Sequence, residues 1–174
     1  MYFAVDLSRH LKHAHSLCFV SCSSYHNSQT QSEDVKIDAV NCSPQKFDGK
    51  VVVIIDELFD NGLTLASVKK FFAESMAVPA DRLVSAVALR KLKEVNAHGA
   101  PDFCGIDNLP DLWFVGYGLD DCGTKRGWRG LWAIPKIPGV PQTPDDEIFS
   151  ADQDHAQAKL ESIKLSIELT LNSL

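Results

Sequence analysis

Three acids crowd a short stretch, VVVIIDELFDNGLTL (residues 51–65): Asp56, Glu57 and Asp60 follow an almost wholly apolar run and lead into Asn61, Gly62, Leu63 and Thr64. Carboxylates of this kind can take a magnesium ion or accept hydrogen bonds from the hydroxyls of a sugar. Asn61 and Gly62 allow tight backbone geometry. Backbone N–H groups at the start of a following helix can hold an anion, and Thr64 adds a hydroxyl there. An anion cradle beside carboxylates suits a sugar phosphate. The same acids could instead do no more than cap the next helix.

Such a loop needs a strand before it and a helix after it. The apolar run 51–55 predicts a central strand buried on both faces. Leu65, Val68, Phe72 and Met76 share one face, which predicts a helix. Further strands are expected over 17–21, 35–39, 82–92, 111–120 and the LWAI segment, with a helix near the start carrying Phe3, Leu7 and Leu11. Residues 23–34 are polar and read as a loop. Strands alternating with helices predict an α/β fold with a mainly parallel twisted sheet and flanking helices. In such sheets, ligands bind beyond the carboxyl ends of the strands, where Asp56 to Thr64 fall.

Beyond residue 134 the character changes. Residues 135–149 are rich in proline and read as an extended linker. Ser150 and Gln153 form a candidate capping box. Ala156, Leu160, Ile163, Ile167, Leu171 and Leu174 then give a tail helix over 150–174 one apolar face, for docking on the domain or on a second subunit.

Composition narrows the function classes. The 174 residues include 45% hydrophobic ones, enough for a packed core, and the formal net charge of −6 argues against a general nucleic-acid surface. The five cysteines have no C-x-x-C spacing, so no zinc framework is expected and a reducing, cytoplasmic setting fits. No run of about 18 apolar residues predicts a membrane span. His10, His13 and His15 lack a matched acid or thiol nearby and read as exposed helix-end charges.

With these residues in view, the chain resembles a known family. VVVIIDELFDNGLTL is similar to the phosphoribosyl-pyrophosphate motif of type I phosphoribosyltransferases: apolar strand, two acids, two apolar residues, Asp, then a small loop ending in Gly-x-Thr. PDFCGIDNLPDLWFVGYGLDD resembles the purine-pocket segment of the hypoxanthine-guanine branch, and SSYHN its mobile Ser-Tyr loop. The similarity runs over about residues 2–134, a phosphoribosyltransferase domain of 1–134. The resemblance implies transfer of phosphoribose from phosphoribosyl pyrophosphate to hypoxanthine or guanine, giving IMP or GMP and pyrophosphate, with Mg2+ as cofactor. It also implies small-molecule partners and a homo-oligomer, with no nucleic acid or membrane.

It further implies roles for single residues. Asp56 and Glu57 would hold the ribose hydroxyls directly or through magnesium. Asp60 would be the general base near purine N7. Asn61, Gly62, Leu63 and Thr64 would cradle the 5′-phosphate. Lys91 would donate to the 6-oxo group, with Arg90 as a register alternative and a solvated strand-end charge as the plainer reading. Trp113 would stack on the base or else pack in the core, and Phe114 would offer backbone groups to the base edge. Asp120 would meet magnesium near the pyrophosphate, and Arg126 would grip pyrophosphate through its planar fork. Ser24 and Tyr25 would close over the site.

The sequence also departs from the family pattern. The family carries a strand and a Leu-Lys-Gly-Gly loop ahead of the first helix. Met1-Tyr2 falls just after that place, so this reading expects a chain lacking that strand and pyrophosphate loop, either truncated at the N-terminus or short by nature. Leu63, Asn61 and Glu57 replace a frequent Lys, Thr and Asp. A non-catalytic nucleotide-binding relative is the alternative. A receiver-like domain would explain Asp56 and Glu57 but not residues 113–126.

Overall fold

A computed structural model of the chain describes residues 1–24, 35–39, 42–93, 98–121, 123–134 and 149–150. Tyr25, nearly all of the expected proline-rich linker and the tail helix beyond Ser150 lie outside the described residues.

The frame is a three-stranded parallel sheet with one helix on each face. β3 (Val52–Phe59), β4 (Leu83–Lys91) and β5 (Phe103–Leu109) lie in that order, with β4 in the middle. Side chains alternate across a strand. On β3, Val53 and Ile55 pack toward Phe3 and Leu7 of α1 (Tyr2–His10), while Val52 and Ile54 pack toward Val68 and Phe72 of α2 (Leu63–Glu74). The apolar run therefore serves two helices at once, which a period-two strand allows.

The position of β3 differs from the expectation. Its pairing runs through Phe59, so the acids Asp56 and Glu57 stand inside the strand rather than after it. Among the described residues β3 is an edge strand, and most of its side chains are only partly buried. The reason is that β4 is its only paired neighbour among the described residues.

A polar clasp fixes β5 against β4 and α2. Asp102 accepts hydrogen bonds from the Ser85 backbone N–H (2.8 Å), the Ser85 hydroxyl (2.5 Å) and Lys69 Nζ (2.8 Å). Ser85 is fully buried, so these bonds satisfy groups that would otherwise be costly to enclose. Burial alone would raise the Asp102 pKa, but the bonds from Lys69 and Ser85 outweigh it and hold the carboxyl below its usual value.

β1 (Ser21–Ser24) pairs antiparallel with β2 (Val35–Asp38) as a separate two-stranded arm. The strand expected over 17–21 is not there. Residues 11–20 are irregular, and Leu17 and Phe19 are exposed, because pairing to β2 begins only at Ser21. β5 was not foreseen as a strand; its FCGIDNL sequence shows neither alternation nor a long apolar run. β6 (Trp113–Val115) pairs antiparallel with β7 (Trp132–Ile134), which pairs with β8 (Phe149–Ser150). Ser150 is thus a strand residue rather than a helix cap.

Candidate active site

The ends of β3, β4 and β6 and the start of α2 meet at one place. Asp60 leaves β3, and Gly62 caps α2 in the left-handed region at φ +84°. A Cβ at Gly62 would stand 2.7 Å from the Phe59 ring, so only glycine suits both the torsion and the space. Asn61 Oδ1 accepts the Leu63 N–H at 3.0 Å, closing the loop on itself. The N–H groups of Thr64 and Leu65 have no partner within the helix, since the first helical bond runs from Ala66 to Gly62 (2.9 Å). Thr64 is exposed. The α2 N-terminus therefore leaves the Thr64 and Leu65 N–H groups without intrahelical partners, with the Leu63 N–H spent internally.

Lys91 and Lys93 project from the same side at the end of β4. Lys91 is 3% exposed, which excludes the reading of a solvated charge. Its ammonium lies 3.7 Å from Asp60 and 3.4 Å from Asp111, and 5.9 Å from the centre of the Phe114 ring. Lys93 reaches Asp60 at 3.0 Å and Asp111 at 3.4 Å. Arg90 points the other way and forks onto Asp107, with both bonds at 2.5 Å, so it is not the register alternative. A bulge in β5 sets this up. Leu89 pairs with Ile106 but Lys91 pairs with Leu109, leaving an extra residue on β5 where Asn108 turns to φ +58°. The chain then passes through Pro110 to Asp111, opposite the two lysines.

Trp113 is 45% exposed, so core packing is not its role. Its indole N–H donates to the Asp120 carbonyl at 3.1 Å, which fixes the ring's edge and leaves a face open. Phe114 is buried behind it. Asp120 is fully engaged: Oδ1 pairs with Arg126 at 2.7 Å and Oδ2 accepts the Gly123 N–H at 2.8 Å. Arg126 also donates to the Gly118 carbonyl at 2.8 Å.

The turn at Tyr117 and Gly118 closes the loop back onto β3. Gly116 and Leu119 exchange both backbone bonds at 3.0 Å, and the two residues between them have φ of +51° and +103°. Those signs are required by the tight hairpin turn whose twist matches its strands. Gly118 lies against Glu57, and the Tyr117 hydroxyl donates to Asp6 of α1 at 2.8 Å.

Glu57 pairs with the Met1 ammonium. Burial lowers the pKa of that amino group, Asp56 pulls it up, and Arg126 adds to the lowering. The Met1 amino group thus lies near Glu57, Asp56 and Arg126. Burial raises the Asp56 carboxyl from 3.8 to about 6, against the opposing pull of the Leu58 N–H and the chain's amino group. Asp56 also accepts the Glu57 N–H at 2.8 Å.

The expected site residues thus fall into two linked groups. Asp60, the start of α2, Lys91 and Phe114 form one, and Trp113, next to Phe114 in β6, is bonded to the Asp120 carbonyl of the other. Asp56, Glu57, Asp120 and Arg126 lie along the other. Ser24 ends β1 and pairs with Val35, while Tyr25 lies outside the described residues. Asp56, Glu57 and Asp120 do not form a three-acid cage, and no such metal cluster exists among the described residues. The arrangement fits magnesium only in its usual nucleotide mode, with one or two carboxylates and the remaining ligands from phosphate and water. Sequence reading missed Lys93 and Asp111. Their signals were the Lys-x-Lys repeat, which puts both lysines on one face, and an acid straight after Pro110.

The chain matches the phosphoribosyl transferase domain family over residues 1–121. It belongs to that family. A hypoxanthine-guanine phosphoribosyltransferase from Bacillus subtilis is 32% identical over 118 residues, covering 68% of this chain and 62% of that protein. A hypoxanthine phosphoribosyltransferase from Escherichia coli is 30% identical over 135 residues, covering 78% of this chain and 71% of that one. The chain therefore spans roughly two thirds of the length of these relatives. A crystal structure of a hypoxanthine-guanine phosphoribosyltransferase from Bacillus anthracis superposes with a TM-score of 0.62 at 30% identity, covering 76% of this chain and 75% of that one. These relatives place the chain on the hypoxanthine-guanine branch of the type I phosphoribosyltransferases, and the parallel β3–β4–β5 sheet between α1 and α2 is their α/β architecture.

Proposed function

We propose that the chain transfers phosphoribose from phosphoribosyl pyrophosphate to hypoxanthine or guanine, forming IMP or GMP and releasing pyrophosphate. The observation that carries this reading is the convergence of Asp60 and Lys91 from neighbouring strand ends beside the α2 cradle. A carboxylate and an ammonium at that separation match the two sides of a 6-oxopurine's N7 and O6 edge.

The 5′-phosphate sits on the Thr64 and Leu65 N–H groups, with the Thr64 hydroxyl and the positive end of α2 adding to its hold. Lys91 donates to the 6-oxo oxygen. An adenine amino group would place N–H donors against that ammonium, so selection against adenine follows from charge. The Trp113 face stacks on the base, a contact worth about 1–3 kcal/mol in comparable sites. Phe114 offers backbone groups to the base edge. As the bond from C1′ to pyrophosphate breaks and the bond to the purine nitrogen forms, Asp60 accepts the N7 proton. Asp56 and Glu57 hold the ribose hydroxyls.

Arg126 turns from Asp120 toward pyrophosphate, which its fork suits. Magnesium, when bound, supplies charge neutralisation at the pyrophosphate. Asp120 at its rim and the Ser24–Tyr25 closure complete the reading by family resemblance. By the same resemblance the protein is a cytoplasmic homo-oligomer.

The test is chromatographic detection of nucleotide formed from phosphoribosyl pyrophosphate with hypoxanthine, guanine, xanthine or adenine. IMP and GMP without AMP support the reading. Lys91→Ala should erase the discrimination against adenine. Nucleotide binding with no product from any base would favour the non-catalytic relative.

A further inference from the structure

The strongest feature left over is the charge cluster behind Asp60. Asp60 Oδ1 is a buried oxygen, and a cation is what meets it. The ammonium of Lys93, 3.0 Å away, lies against it as an ion pair. Oδ2 faces Lys91 at 3.7 Å. Asp111 stands behind both lysines at 3.4 Å from each. The four groups alternate in sign, and His98 lies close to the same loop, its Cβ 3.3 Å from where a Gly62 side chain would begin.

We infer that Lys93 is a positioning residue for Asp60: its ammonium pins Oδ1, so that Oδ2 alone is presented to the purine, and Asp111 holds both lysines in place. This inference rests on the proposed role of Asp60 as base. The geometry favours it for two reasons. Asp60 follows β3 directly and its side chain is about half exposed (47%), so the backbone alone does not fix its rotamer. Lys93 is the nearest cation to it and, being 30% exposed, is not buried for packing alone. Division of labour follows: Lys91 is the buried reader of the base, and Lys93 aims the acid. Its partner Asp111 prevents both ammonium groups from collapsing onto Asp60.

The experiment compares Lys93→Ala and Lys93→Arg with the unaltered chain. Three quantities are measured: kcat and KM for hypoxanthine, the Kd of IMP by calorimetry, and urea unfolding. Lys93→Ala should lower kcat about tenfold or more while the Kd of IMP stays within about threefold, because a misaimed base harms proton transfer more than nucleotide binding. Lys93→Arg should restore most of kcat, since it keeps a cation within reach of Oδ1. A purely packing role would instead lower the urea midpoint and leave kcat of the folded fraction intact, which would overturn the inference. Equal loss in kcat and IMP affinity would overturn it as well.

Should the unaltered chain form no nucleotide, the proposed function falls, and a stability cycle still decides the Lys93 contact. Asp60→Asn and Lys93→Ala, singly and together, should be non-additive by a factor of about three in the unfolding constant, the range of a partly exposed ion pair. Additive effects would mean that Lys93 does not hold Asp60.

Discussion

Replacing Asp56 by asparagine should make the folded chain more stable at neutral pH while weakening its hold on a phosphorylated ribose. Burial lifts the Asp56 carboxyl from 3.8 to about 6, so the fold binds its proton more tightly than the unfolded chain does. The stabilisation from that proton is complete below the unfolded value near 3.8 and is lost as pH rises through about 6. A shift of two units corresponds to about 3 kcal/mol, an upper figure for what ionised Asp56 costs the fold at pH 7.5. Asparagine keeps an oxygen for the Glu57 N–H and carries no charge, so it should recover about 1–3 kcal/mol, or a few degrees in Tm. Urea unfolding followed by circular dichroism at pH 4, 6 and 7.5 measures this. The gain should be near zero at pH 4 and largest at pH 7.5. A variant that is less stable at pH 7.5, or whose gain does not change with pH, would refute the reasoning.

Other substitutions probe the frame around the site. Gly62→Ala puts a Cβ 2.7 Å from the Phe59 ring at φ +84°, so it should cost about 1–3 kcal/mol in urea unfolding and weaken IMP binding by tenfold or more in calorimetry. Asp102→Ala leaves the buried Ser85 N–H and hydroxyl without their acceptor and should cost about 1–3 kcal/mol. Because the Asp102 pKa is lowered in the fold, its contribution is present above the usual carboxylate value and is lost as pH falls through the folded one. The difference between Asp102→Ala and the unaltered chain should therefore narrow in acid, which unfolding at pH 3 and pH 7 would show.

Local pattern carried the core of the site into view. The run 51–55, three acids and Asn-Gly-x-Thr gave a strand, a tight turn and a helix start, and all three are present. The same pattern misplaced the strand's end, because Asp56, Leu58 and Phe59 keep pairing with β4 and hold Glu57 within the strand. Tertiary partners, not propensity, decided that. The strand expected over 17–21 failed for the opposite reason: an apolar run with no paired neighbour among the described residues stays irregular there. Trp113 and Lys91 could not be resolved from sequence, since their roles depend on exposure. One proved open and the other buried between two carboxylates. Lys93 and Asp111 became visible only when the β5 bulge brought the β5–β6 connection opposite β4.

Asp60 is the proposed proton acceptor at a purine held beside the α2 N-terminus. The most direct measurement is the single-turnover rate of IMP formation by Asp60→Asn, taken together with the Kd of IMP. Asparagine keeps the shape and loses the basicity, so the rate should fall by about a hundredfold or more while IMP affinity changes by less than about fivefold. A rate and an affinity that fall together, or a rate that does not fall, would contradict the assignment.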